Sequence, residues 1–218
     1  MESPFRASDL TGDFRVIETL RWQGGRAIRG DRHLARAQAT CHALGIPFDR
    51  ARIAALLDGP HGTGPDDPGP LRLRLTIDRH GTPQVEAAPL AGPPPALWRV
   101  ALAPWRLAPD DIWLRHKTSQ RALYDQARAA LPKGIDEYLF ANTEDELCEG
   151  AITSVFFDLG EGLMTPPLAC GLLPGVLRAE MLDAGTCREG RLPLADLARA
   201  RLWVGNSLRG LIPARLAG

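Results

Sequence analysis

Only two lysines, Lys117 and Lys133, stand beside 24 arginines in this chain. Arginine has served wherever a plain positive charge is enough, so a retained lysine is a candidate for chemistry. An ε-amine can lose its proton, attack a carbonyl and form a Schiff base; a guanidinium can do none of these. Lys133, in Pro132-Lys-Gly134, has the setting of a surface turn. Lys117 lies instead in Trp113-Leu-Arg-His-Lys-Thr-Ser-Gln-Arg-Ala-Leu-Tyr-Asp125. A lone lysine ahead of a helix is usually a solvated charge, and that reading stays open. The flanking Arg115 and His116 read as solvent or phosphate contacts.

Thirty-two residues further on, Glu149 precedes a glycine and then the apolar run Ala-Ile-Thr-Ser-Val-Phe-Phe157. A carboxylate there is buried or nearly so and needs a partner. That partner is either one of the many arginines or a protonated pyridine nitrogen, whose charge makes a ring an electron sink. In Gly171-Leu-Leu-Pro-Gly-Val-Leu-Arg178 a Pro-Gly pair opens a helix, leaving backbone N–H groups that suit a phosphate. Gly205-Asn-Ser-Leu-Arg-Gly210 follows a strand and is an ordinary turn or a second wall of a phosphate cup. Arg36, in Arg32-His-Leu-Ala-Arg36, lies off the apolar register Leu34, Ala37, Cys41, Leu44; it is solvated, or it reaches a phosphate with two N–H groups. A lysine, an isolated carboxylate and a glycine-bounded helix start are together the parts needed to hold pyridoxal 5'-phosphate (PLP).

The elements that must position these residues follow from periodicity. Strands are expected over 13–20, 71–77, 98–103, 137–141, 152–158 and 202–205, and helices over 32–44, 49–57, 118–131, 175–184 and 194–200. Residues 59–69 are loop, His80-Gly-Thr-Pro83 a turn, and the proline-rich stretch 89–97 a stiff linker. The order gives an α+β chain of two lobes: 1–92, a linker 93–97, and 98–218. At 218 residues the chain can bury a real core. Its 26 basic and 26 acidic residues balance, so charge makes no case for nucleic acid or an anionic membrane. No apolar run reaches the roughly 20 residues of a membrane span. The N-terminus lacks a signal-peptide core, and the four cysteines lack CxxC spacing. Those features predict a cytoplasmic protein with reduced thiols, no disulfide framework and no metal site.

The order and spacing of these pieces, from about Phe14 to Pro213, resemble the fold-type IV PLP enzymes. These are the class IV aminotransferases, among them branched-chain and D-amino-acid aminotransferases, together with aminodeoxychorismate lyase. The resemblance implies a small N-terminal α/β lobe and a larger, β-barrel-like C-terminal lobe. It makes Lys117 the Schiff-base lysine, Glu149 the partner of the pyridine nitrogen, and Val176 and Leu177 the backbone donors to the phosphate. Asn206, with Ser207 beside it, falls where the family often places a threonine on the phosphate, and Arg36 matches the phosphate arginine of a His-x-x-Arg segment. Ile17-Glu-Thr-Leu-Arg21 matches the strand that faces substrate, so Thr19 and Arg21 become candidate substrate contacts.

His116-Lys-Thr-Ser-Gln-Arg-Ala-Leu and Asn206-Ser-Leu-Arg-Gly210 look most like aminodeoxychorismate lyase. The aminotransferases usually carry a tyrosine five residues after the lysine, on the cofactor's phenolic oxygen; here that position is Ala122, with Tyr124 two further on. Ser154 stands where an asparagine is common. With 13 residues before Phe14, the opening hairpin is expected to be missing or reduced, and the glycine-rich substrate loop after residue 77 trimmed. Three functional readings follow. The first is a lyase releasing pyruvate from 4-amino-4-deoxychorismate to give 4-aminobenzoate for folate synthesis, with Lys117 as base and Lys117 or Thr19 as proton donor. The second is a class IV aminotransferase for branched-chain or D-amino acids, and the third a non-catalytic cofactor-binding member. The resemblance also implies a homodimer.

Overall fold

Leu71-Arg-Leu-Arg-Leu-Thr-Ile77 alternates apolar and polar side chains, and its leucines and isoleucine are buried while Arg72 is exposed. That strand anchors the first of two compact units in a computed structural model describing residues 5, 12–59, 69–90, 92–93 and 96–217. The units are Met1–Gly92 with His116–Gln120, and Pro93–Arg115 with Arg121–Gly218. Most of the loop expected over 59–69 and part of the linker over 93–97 fall outside the described residues.

In the first unit, β1 (Val16–Gln23), β2 (Arg26–Ala27), β3 (Leu71–Ile77) and β4 (Pro83–Pro89) form an antiparallel sheet in the order β2-β1-β3-β4. Helices α1 (Gly30–Ala43) and α2 (Arg50–Asp58) lie against it. Leu34, Ala37, Cys41 and Leu44 are buried, as the helical register requires. Asp49 caps α2 by accepting from Arg52 N–H at 3.0 Å. β4 was not expected: prolines at both ends disguise it, and it takes the edge position where proline is tolerated.

In the second unit, β5 (Trp98–Leu107), β6 (Glu137–Asn142), β7 (Leu147–Gly150), β8 (Ser154–Asp158), β9 (Met164–Thr165), β10 (Arg188–Glu189), β11 (Arg201–Asn206) and β12 (Gly210–Leu216) form one sheet. Its order is β10-β9-β8-β11-β12-β5-β6-β7, and β7 also pairs with β8 through Glu149 and Ser154. That pair closes six of the strands on themselves, which gives the barrel-like sheet. Trp98, Val100, Leu139, Leu147, Val155, Phe157 and Val204 lie in its main apolar core. Helices α3 (Ala122–Ala129) and α4 (Val176–Asp183) pack on β6 and β11. The helix expected over 194–200 is a 3-10 turn, Leu194–Arg199.

The helix expected from Thr118 begins only at Ala122. Residues 117–119 bond to β1 instead. Ile17 N–H donates to the Lys117 carbonyl at 2.8 Å, Ser119 N–H donates to the Arg15 carbonyl at 2.9 Å, and Thr118 bridges Val16. Backbone groups committed to a sheet edge cannot also serve a helix.

Candidate active site

Lys117 is fixed by that edge pairing. Its carbonyl is bound to β1, the side chain is half-buried, and Arg15 N–H donates to Ser119 Oγ at 2.9 Å to close the register. Beside it, the His116 ring meets Phe5 at 5.1 Å and its Nδ1 lies 3.4 Å from Thr40 Oγ1. Burial pushes the His116 pKa down and favours the neutral ring. Arg115 donates to the carbonyls of Pro109, Leu168 and Leu172 in the second unit.

Thr19 and Arg21 share one face of β1, two residues apart. The register sets Thr19 opposite Arg74 and Arg21 opposite Arg72. Three arginines and one carboxylate therefore share this sheet face, since Glu86 on β4 stands opposite Arg74, and the face is net positive. Arg21 Nε is buried and has no hydrogen-bond partner among the described residues. This face suits a substrate carrying carboxylates.

On the opposite face of β1 sits Glu18, only 1% exposed. Arg36 grips it with Nε at 2.8 Å and Nη2 at 2.5 Å, and His33 Nδ1 lies 2.7 Å away. Burial alone would raise the Glu18 pKa. The Arg36 charge and hydrogen bonds, with His33, overcome it and hold the carboxyl at about 2. Arg36 thus meets the bidentate geometry expected of it, but on Glu18.

The remaining residues named from sequence converge in the second unit. Glu149 and Ser154 are cross-strand partners, and Ser154 pairs in turn with Gly205 on β11. The start of α4 rests on this row. A Cβ at Gly175 would meet Ser154 Oγ at 2.3 Å, and one at Gly205 would meet Leu177 Cδ2 and the Gly210 carbonyl oxygen, each at 2.8 Å. Gly175, the residue before α4, offers no side-chain cap, so Val176 and Leu177 open the helix with backbone donors at its positive end.

Asn206 is held by bonds within the protein. Its Oδ1 accepts from Leu208 N–H at 3.1 Å and Arg209 N–H at 3.0 Å, and its Nδ2 donates to the Ile152 carbonyl at 3.1 Å. It shapes the turn and ties it to the segment after Glu149. Ser207 beside it is buried.

Glu149, 6% exposed, accepts from the Tyr124 hydroxyl at 2.5 Å and from Leu173 N–H at 3.1 Å. Burial first, then the Glu149 charge, push the Tyr124 pKa far up, so the phenol keeps its proton and donates. Gly171, at φ 85, lets the chain turn towards Leu173 where a Cβ would strike Pro109 Cα at 2.7 Å. Gly150 has its own reason: a Cβ there would meet Thr153 Oγ1 at 2.3 Å and Glu137 Cγ at 3.0 Å. Tyr124 and Leu173 were absent from the sequence-derived site, since 25 and 24 residues separate them from Glu149. The one available signal was a tyrosine two positions past the family's own.

These residues fit PLP. A buried, hydrogen-bonded carboxylate suits a pyridinium, and an uncapped helix start wedged against two glycines suits a phosphate. A family model for class IV amino-transferases matches residues 15–217. A structure from Mesorhizobium loti, provisionally named an amino-acid aminotransferase, is 47% identical; the match covers 94% of this chain and all of that one, with a TM-score of 0.86. The 4-amino-4-deoxychorismate lyase of Pseudomonas aeruginosa is 26% identical over 93% of this chain and 82% of its own, with a TM-score of 0.74. A hypothetical aminotransferase from Mycobacterium tuberculosis, in a PLP-bound form, shares the fold at 22% identity, with 94% and 81% covered and a TM-score of 0.77. No curated protein matches.

Proposed function

The chain belongs to the class IV aminotransferase family, and within it we propose a PLP-dependent lyase that releases pyruvate from 4-amino-4-deoxychorismate and leaves 4-aminobenzoate, a step of folate synthesis. When bound, PLP supplies an aldehyde for the substrate amine and a pyridinium ring that accepts an electron pair. Lys117 would hold the cofactor through its ε-amine, and that amine, when free, would take the proton from the substrate carbon bearing the amine. Glu149 would keep the ring nitrogen protonated. Val176 and Leu177 would donate to the phosphate, with Asn206 and Ser207 shaping its second wall. Thr19 and Arg21 meet the substrate, and Arg72 and Arg74 add charge to the same sheet face. Lys117 or Thr19 returns the proton to the departing methylene.

The observation that carries the lyase reading is at Tyr124. The family's aminotransferases usually set a tyrosine five residues after the lysine, on the cofactor's phenolic oxygen. Here Ala122 holds that position, and the nearby phenol is bound to Glu149. The second reading, an aminotransferase, is favoured by the 47% identity to the M. loti protein. Mixing the PLP-loaded protein with 4-amino-4-deoxychorismate and no keto acid separates the two. The lyase yields 4-aminobenzoate and pyruvate in equal amounts over many turnovers; turnover that waits for a keto acid selects the aminotransferase. On either reading we expect the family's homodimer, which sedimentation measures directly.

A further inference from the structure

Tyr124 is built into the second unit more firmly than its role as one hydrogen-bond donor requires. Its ring lies edge-on to Phe140, centroids 5.1 Å apart, and the Arg121 guanidinium sits 5.5 Å from its centroid. Arg121 is itself tied down, by Asp125 at 2.8 Å and by the Ala151 carbonyl at 3.0 Å. The Ala151 contact reaches the turn between β7 and β8, two residues past Glu149. The phenol is thus aimed at Glu149 Oε1 from one side while Leu173 N–H holds Oε2 from another. An O–H donor at this distance stabilises the carboxylate over the carboxylic acid.

A carboxylate beside a pyridine nitrogen shares one proton with it. The proton rests on nitrogen when the carboxylate is held ionised, and on oxygen when the carboxylate is left more basic in a buried place. We propose that Tyr124 is a positioning residue for the cofactor: its hydroxyl holds Glu149 ionised and oriented, so that the shared proton stays on the pyridine nitrogen. This rests on the PLP reading above. Tyr124 touches neither substrate nor cofactor in this account and acts only through Glu149.

The test uses Tyr124→Phe, which keeps the ring against Phe140 and removes one oxygen. Wild type, Tyr124→Phe and Glu149→Gln are each loaded with PLP labelled with nitrogen-15 in the ring, and the nitrogen resonance is recorded. Wild type is expected at the pyridinium position, Glu149→Gln at the neutral pyridine position, and Tyr124→Phe displaced from wild type towards neutral. Affinity for PLP in the phenylalanine variant should fall on the order of tenfold, the usual effect of one hydrogen bond to a charged group. A purely structural tyrosine would alter thermal stability and leave the resonance where wild type has it. That result, with wild type at the pyridinium position, overturns the proposal; so does a wild type already neutral. A wild type that takes up no PLP overturns the functional reading itself, which is a separate outcome.

Discussion

Arg36 shows how residue chemistry can be legible in a sequence while the protein partner it meets is not. Its position off the apolar face of α1 and its capacity for a bidentate grip were legible in the sequence. Its partner was not, because Glu18 lies 18 residues away on a strand. The pairing carries a stability prediction. Arg36→Ala would leave Glu18, at 1% exposure, with His33 and without the guanidinium. Removing one partner of a buried ion pair costs about 3–5 kcal/mol, whereas deleting a solvated arginine costs within about 0.5 kcal/mol. Urea unfolding of the variant distinguishes these values. The Glu149-Gly150 pair is the converse case: the motif was visible, but its physical cause, the Glu137 side chain and Thr153 Oγ1 against the glycine, is a packing fact no local pattern encodes.

At the scale of elements, alternation and helical register located the strands and helices whose two faces differ in burial. They missed β7, four residues long and buried throughout, and β12, whose Pro213 argues against a strand. They also started α3 four residues early, because the pairing of residues 117–119 with β1 is a long-range choice. The start of α4 offers a direct test of how tightly helix and barrel meet. Gly175→Ala places a methyl group 2.3 Å from Ser154 Oγ, with only ordinary contacts besides, and Gly175 has φ −64, so backbone strain plays no part. We expect a loss of about 1–3 kcal/mol and weaker PLP binding. Adding Ser154→Ala removes the colliding oxygen and should recover most of both. A double variant no better than the single one would show that the helix start does not rest on Ser154.

For the whole molecule, closure of the second sheet depends on Glu149 pairing with Ser154, so a proposed catalytic residue also sits at the seam of the barrel. Such closure joins distant strands and is invisible to a pattern read along the chain. The buried carboxylates also give the fold a pH signature. Glu18 has a folded pKa of about 2 against an ordinary value of 4.5, so its contribution is complete above 4.5 and is lost as pH falls towards 2. Glu137, fully buried, has its pKa raised, chiefly by burial, so its contribution is complete below 4.5 and fades as pH rises through the raised value. Calorimetry against pH should show Glu18→Gln flattening the acid limb and Glu137→Gln flattening the decline above 4.5. Unchanged limbs would mean that neither group is perturbed in the fold.

The most direct test of the central claim uses the scarcity of lysine. PLP-loaded protein is reduced with borohydride, which makes a lysine–cofactor linkage permanent, and its peptides are mapped by mass. Only two lysine side chains can carry the label, Lys117 and Lys133. Stoichiometric modification of Lys117 is expected, with none of Lys133 and no specific labelling in Lys117→Ala. Labelling at Lys133, or none after loading with PLP, would contradict the role given to Lys117.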